Sequence, residues 1–131
     1  MNDVVEKILG DIPAILAGNK EKLVRNAEEF GKHLAKENLS TSQIRNIFSE
    51  VKRMKKYKES KDKLLLLRPK LAYVAGRHGK RKGNKLVGPV PDLSKVLDEC
   101  IKNVRDETAF NNFKDFFEAI LAYHRYYGGK E

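Results

Sequence analysis

Cysteine occurs once in this chain of 131 residues, at Cys100. A lone cysteine excludes an internal disulfide and cannot build a thiolate metal site by itself. Histidine is also scarce: His33, His78 and His124 lie far apart, without the Glu-x-x-His or His-x-x-x-His companions that metal sites use. No apolar run approaches the roughly 18 residues needed to cross a bilayer. The start, Met-Asn-Asp-Val-Val-Glu-Lys, lacks the basic region and apolar segment of a signal peptide. The expectation is a cytosolic protein. No segment alternates apolar and polar residues as a half-buried strand does, and no internal repeat is visible.

Catalytic patterns are missing too. Asp98-Glu99 and Asp106-Glu107 are adjacent pairs, so on a helix their carboxylates point in different directions rather than forming a dyad. Gly76-x-x-Gly79 lacks the Gly-Lys-Ser/Thr ending of a phosphate loop, and no strand precedes it. Cys100 falls on an apolar stripe, where a small core residue is the default. The expectation is no catalytic residue, no metal and no cofactor.

What is present is apolar periodicity and positive charge. A hydrophobic fraction of 40% argues for a folded chain, and the length fits a single domain over 1–131. The net charge is +9. Residues 45–85 hold fifteen Lys or Arg against three acids (Glu50, Glu59, Asp62), while the rest holds twelve bases and fifteen acids. Such a block suits a polyanion, since each neutralised phosphate releases a counterion. A solvated surface and an anionic membrane are the competing readings.

Helical spacing recurs throughout. Val4 to Leu16 is interrupted by Pro13, which predicts two short helices or one kinked helix. Leu23, Ala27, Phe30 and Leu34 mark the next helix. Ser40-Thr41-Ser42-Gln43 fits a capping box. The helix it opens carries Ile44, Ile47, Phe48, Val51 and Met54 on one stripe and Arg45, Lys52 and Lys56 on another, with Arg53 and Lys55 widening the polar side. Ser60 to Arg77 is predicted helical, kinked or restarted at Pro69. Residues 76–85 read as a mobile loop carrying Lys80, Arg81, Lys82 and Lys85, with too many glycines for a helix and too many like charges to pack. Helices from Asp92 and from about Ala109 close the chain, the latter with Phe113, Phe117 and Ile120 inward. The predicted fold class is all-α: a single-domain helical bundle with a basic Gly-rich loop around residues 76–91. Phe48 is expected in the core, and Leu65, Leu66, Tyr123, Tyr126 and Tyr127 are candidates for an apolar subunit contact.

Two strings carry a family likeness. Gln43-Ile-Arg-Asn-Ile-Phe48, followed by Val51 and Met54, resembles the central helix of the small subunit of type III-A CRISPR effectors, the Csm complex. Leu67-Arg-Pro-Lys-Leu-Ala-Tyr-Val-Ala-Gly-Arg77 resembles that family's second signature, and Phe116 to His124 is similar to its aromatic end. The resemblance implies a non-catalytic, all-helical subunit present in several copies, stacked beside backbone and large subunits. Its basic face would hold the guide RNA–target RNA duplex, mainly by the target strand. RNA cleavage and cyclic-nucleotide synthesis would belong to other subunits. The likeness assigns RNA contact to Arg45, Arg68, Lys70 and Arg77. The helix reading adds Lys52, Arg53, Lys55 and Lys56, and the basic loop adds Lys80, Arg81, Lys82 and Lys85. The alternative is another basic helical nucleic-acid binder, ribosome-associated or nucleoid.

Overall fold

Apolar stripes at three- and four-residue spacing resolve into six helices and one hairpin among the described residues, 3–131, of a computed structural model. Residues 1 and 2 of the expected 1–131 domain lie outside the described residues. The order is α1 (Asp3–Ala17), α2 (Lys20–Lys36), a 3-10 turn (Thr41–Gln43), α3 (Arg45–Arg53), α4 (Tyr57–His78), β1 (Lys80–Lys82), β2 (Lys85–Val87), α5 (Pro89–Asn103) and α6 (Glu107–Tyr126). The chain is all-α apart from this small hairpin.

The centre is aromatic. Phe30, Phe110, Phe113, Phe116 and Phe117 are fully enclosed, four of them from α6. α2 lies along α6, α4 along α5, and α1 touches α2, α5 and α6. The α2–α6 contact is close because position 31 is glycine: a Cβ there would stand 2.7 Å from the His124 amide and 2.6 Å from the Tyr123 side chain. Beside this crossing, His124 is fully buried, with Nε2 2.7 Å from the Leu39 carbonyl. Ser40 forms a parallel bridge with Lys130, whose carbonyl accepts the Thr41 amide at 3.0 Å. The start of the α3 unit is thereby fastened to the exit of α6.

Two expectations require correction, and one pair of alternatives is narrowed. Neither Pro13 nor Pro69 divides its helix, which removes the two-helix and restart readings: α1 and α4 run through them. Both prolines are exposed, so the carbonyls they leave unpaired, four residues back, are on the water-facing side, while Ile12, Ile15, Leu67 and Leu71 hold the opposite face in the core. Phe48 is half-buried rather than enclosed; its ring meets Phe117 edge-on with centroids 5.0 Å apart. Residues 76–85 are not a loop. α4 continues to His78 because Leu71 and Ala75 extend its buried stripe. The cations then pair as an antiparallel ribbon, Lys80 with Val87, Arg81 with Leu86 and Lys82 with Lys85. Gly83, at φ +61°, supplies the positive φ that a two-residue hairpin turn needs at its first position.

The Tyr127 hydroxyl donates to Glu28 Oε2 at 2.6 Å, tying the end of α6 to α2. This hydrogen bond to a carboxylate, helped by desolvation and the negative charge, pushes the phenol from 10.0 up to about 12. Because the folded value is raised, the stabilisation is fully present below pH 10 and is lost as pH rises toward 12. Ultraviolet titration of Tyr127→Phe against the wild type is expected to show the loss of a phenol that ionises late. Loss of a phenol that ionises near pH 10 instead would contradict the contact.

Candidate nucleic-acid interface

The capping box forms as the sequence predicts. The Ser40 amide donates to Gln43 Oε1 at 3.2 Å, and Ser40 Oγ accepts from the Ser42 amide at 3.3 Å. It turns the chain into α3, which buries Ile47 and Val51 and leaves Arg45, Lys52 and Arg53 exposed. Lys52 Nζ sits 5.5 Å from the centroid of the half-buried Phe48 ring. Arg125, from α6, lines the same shallow groove as Arg45, Phe48 and Lys52.

Lys56 does not continue this ridge, because α3 stops at Arg53. Tertiary hydrogen bonds fix the break. Lys114 Nζ donates to the Met54 carbonyl at 3.1 Å, the Tyr57 amide to Glu107 Oε1 at 2.8 Å, and the Tyr57 hydroxyl to the Val104 carbonyl at 3.3 Å. Met54 is buried, while Lys55 and Lys56 project from the exposed linker before α4.

On α4 the two central cations are engaged within the protein. Arg68 Nε donates to Asp98 Oδ1 at 2.7 Å, and this hydrogen bond and the carboxylate's charge raise the guanidinium above its ordinary value. Lys70 Nζ lies 2.7 Å from Glu50 Oε1, joining α4 to α3. Arg77, in the last turn, is exposed. Beyond it the hairpin register puts Lys80, Lys82 and Lys85 on one face and Arg81 and Leu86 on the other. Leu86 shares a groove with Ala75 and Pro91, so the opposite, three-lysine face is turned outward. Lys82 directly opposite Lys85 is a like-charge pair that costs stability in the absence of an anion.

The fold adds cations that motif reading left out. Lys58, Lys61 and Lys63 are exposed on the first half of α4; the charge count included them, but no motif singled them out. Arg125 joins Arg45 and Lys52 only through tertiary packing, for which the sequence carries no local signal. Elsewhere the chemistry is quiet. Burial pushes the Cys100 thiol up, so it remains protonated and inert. His33 Nε2 lies 3.1 Å from Asp92 and His78 Nδ1 lies 3.4 Å from Gln43 Nε2. No three of the described His, Cys, Asp or Glu residues converge as a metal site would need.

Fold and charge together define a class: a small all-α protein with one cationic flank built from α3, the linker, α4 and the hairpin. The sequence matches the Csm2 type III-A family over residues 17–130, and the chain belongs to that family, the small subunit of the type III-A CRISPR complex. It is 30% identical over 122 residues to the CRISPR system Cms protein Csm2 of Streptococcus thermophilus, the match covering 85% of this chain and 95% of that protein. No solved structure matches the chain significantly. No described helix is long and apolar enough to cross a membrane.

Proposed function

We propose that the protein is a non-catalytic, cytoplasmic subunit that holds a guide RNA–target RNA duplex by its phosphates, mainly along the target strand, in several stacked copies beside the backbone and large subunits. One observation carries this reading. Arg45, Lys52, Arg53, Lys55, Lys56, Arg77, Lys80, Arg81, Lys82 and Lys85 are all exposed, and among the described residues none is engaged in an ion pair. Unneutralised charge on rigid helices and a short ribbon is what a backbone track requires. A subunit that accepts any target has to contact phosphate and sugar rather than read bases. Arg68 and Lys70 can join the track only by leaving Asp98 and Glu50.

Binding of the full chain to RNA and DNA duplexes of one sequence, across a salt series, tests the proposal. The expected result is preference for the RNA duplex, with log affinity falling linearly against log salt. Preference for DNA would favour the nucleoid alternative. For stacking, the supporting feature is an apolar strip on α4, where Leu65 and Leu66 are 57% and 61% exposed. Tyr126 is exposed as well, whereas Tyr123 and Tyr127 are half-buried. Leu65→Glu with Leu66→Glu is expected to shift sedimentation toward monomer at high concentration while leaving helicity unchanged. A wild type that is monomeric throughout would count against the strip as a self-contact.

A further inference from the structure

α3 is tied to α4 by an ion pair. Glu50 Oε1 accepts from Lys70 Nζ at 2.7 Å, and both side chains reach water, 31% and 53% exposed. The surroundings of this pair are cationic. Arg53 and Lys63 line the same cleft as Glu50 and Lys70, and among the described residues Glu50 is the only acid on its walls. Lys70 also holds the middle of a stripe on α4. Lys63, Lys70 and Arg77 are seven residues apart, close to two full turns, so they share one side of the helix over about 21 Å. Lys63 and Arg77 are exposed and, among the described residues, in no ion pair. The central cation of the stripe is the neutralised one. Arg68 is turned the other way, toward α5, where Asp98 holds it. The hold on Lys70 is weak. Glu50 Oε2 is buried without a hydrogen-bond partner, a cost that ends when the carboxylate swings out into water. A solvent-exposed pair contributes little by itself.

We infer that Glu50 occupies, from within the chain, a phosphate site on the RNA face: its carboxylate holds Lys70 until a phosphate of the RNA displaces it. This rests on the RNA-holding reading and adds an internal competitor to it. Carboxylate and phosphate oxygens are both charged acceptors for an ammonium group. They compete for Lys70, and two anions brought to one ammonium also repel each other. The internal carboxylate is always close, which gives it the advantage over a small free anion. A strand already held at Lys63 and Arg77 brings its own phosphate to Lys70 and removes that advantage. The site is thus closed to stray anions and opens to an extended backbone. Once displaced, the carboxylate takes up a counterion, which offsets part of the release from the RNA.

The test compares wild type with Glu50→Gln, Lys70→Ala and the double variant, each as the full chain, on one RNA duplex across a salt series. Glu50→Gln keeps the shape of the side chain, and circular dichroism should show its helicity unchanged. It is expected to bind about threefold more tightly at 0.1 M salt. Its slope of log affinity against log salt should be steeper by up to about one unit. Glu50→Ala removes the acceptor outright and should repeat the gain. Glu59→Gln is the control, since Glu59 is an exposed acid of α4 in no ion pair among the described residues. In a Lys70→Ala background, Glu50→Gln should give no more than this control gives in wild type. A gain in Glu50→Gln no larger than the control's, or one that persists undiminished without Lys70, overturns the proposal, because removal of any nearby negative charge would then suffice. Weaker binding in Glu50→Gln overturns it too, since the pair would then be setting Lys70 for the RNA rather than withholding it. In each of these cases wild type binds and the RNA reading stands. Failure of wild type and every variant to bind RNA overturns both proposals.

Discussion

Replacing Arg45, Lys52, Lys80, Lys82 and Lys85 together with alanine is expected to weaken RNA binding for every sequence alike, by as much as about 10⁴-fold at 0.1 M salt. The slope of log affinity against log salt is expected to become shallower by as much as about four units, if each side chain neutralises one duplex phosphate. All five are exposed, so the far-ultraviolet circular dichroism spectrum should stay helical. Removing the opposed Lys82–Lys85 pair should, if anything, relieve the isolated hairpin. Binding and salt slope both unchanged in a folded variant would dismiss this face as mere solvated charge. Dividing the five into the α3 pair and the hairpin triplet then assigns the loss to each element.

The largest effect on stability is expected at α6. Phe117 is 0% exposed and borders both Phe113 and Phe48, so Phe117→Ala removes a ring that the surroundings can only partly refill. A loss of about 3–5 kcal/mol is expected in denaturant unfolding. Phe48→Ala should cost about half of that, because part of the ring already faces water and no closed cavity is left. Equal losses at the two positions would mean that the α3–α6 contact is tighter than described.

The contrast between these phenylalanines shows what could be read from residue order. Both fall on helical stripes, and periodicity assigns an inward face. How far a partner covers that face depends on α3 lying at the margin of the bundle, which no local pattern encodes. The capping box at Ser40 was legible because its two reciprocal hydrogen bonds are local. The break after Arg53 was not, since its causes, Glu107 and Lys114, lie 50 and 60 residues away. The cations were legible as a block, but pairing was hidden: Arg68 meets Asp98 only when α4 lies along α5. Gly76, Gly79 and Gly83 suggested a loop because glycine weakens a helix on its own. Burial of Leu71 and Ala75 outweighed Gly76, and Gly83 proved to be the turn of a ribbon.

The fastening of residues 39–41 to the exit of α6 has a consequence for the order in which the molecule assembles and opens. The His124–Leu39 hydrogen bond closes a loop of 85 residues, and the Ser40–Lys130 bridge a slightly longer one. Contacts so distant along the chain form late, after the entropy of closure has been offset by the aromatic centre. α3 itself contributes only Ile47 and Val51 to the buried set. Its amides should therefore exchange with solvent through partial openings, while those of α2 and α6 wait for global unfolding. The cationic helix is thus a semi-detached cooperative unit, expected to open locally while the rest of the bundle remains closed.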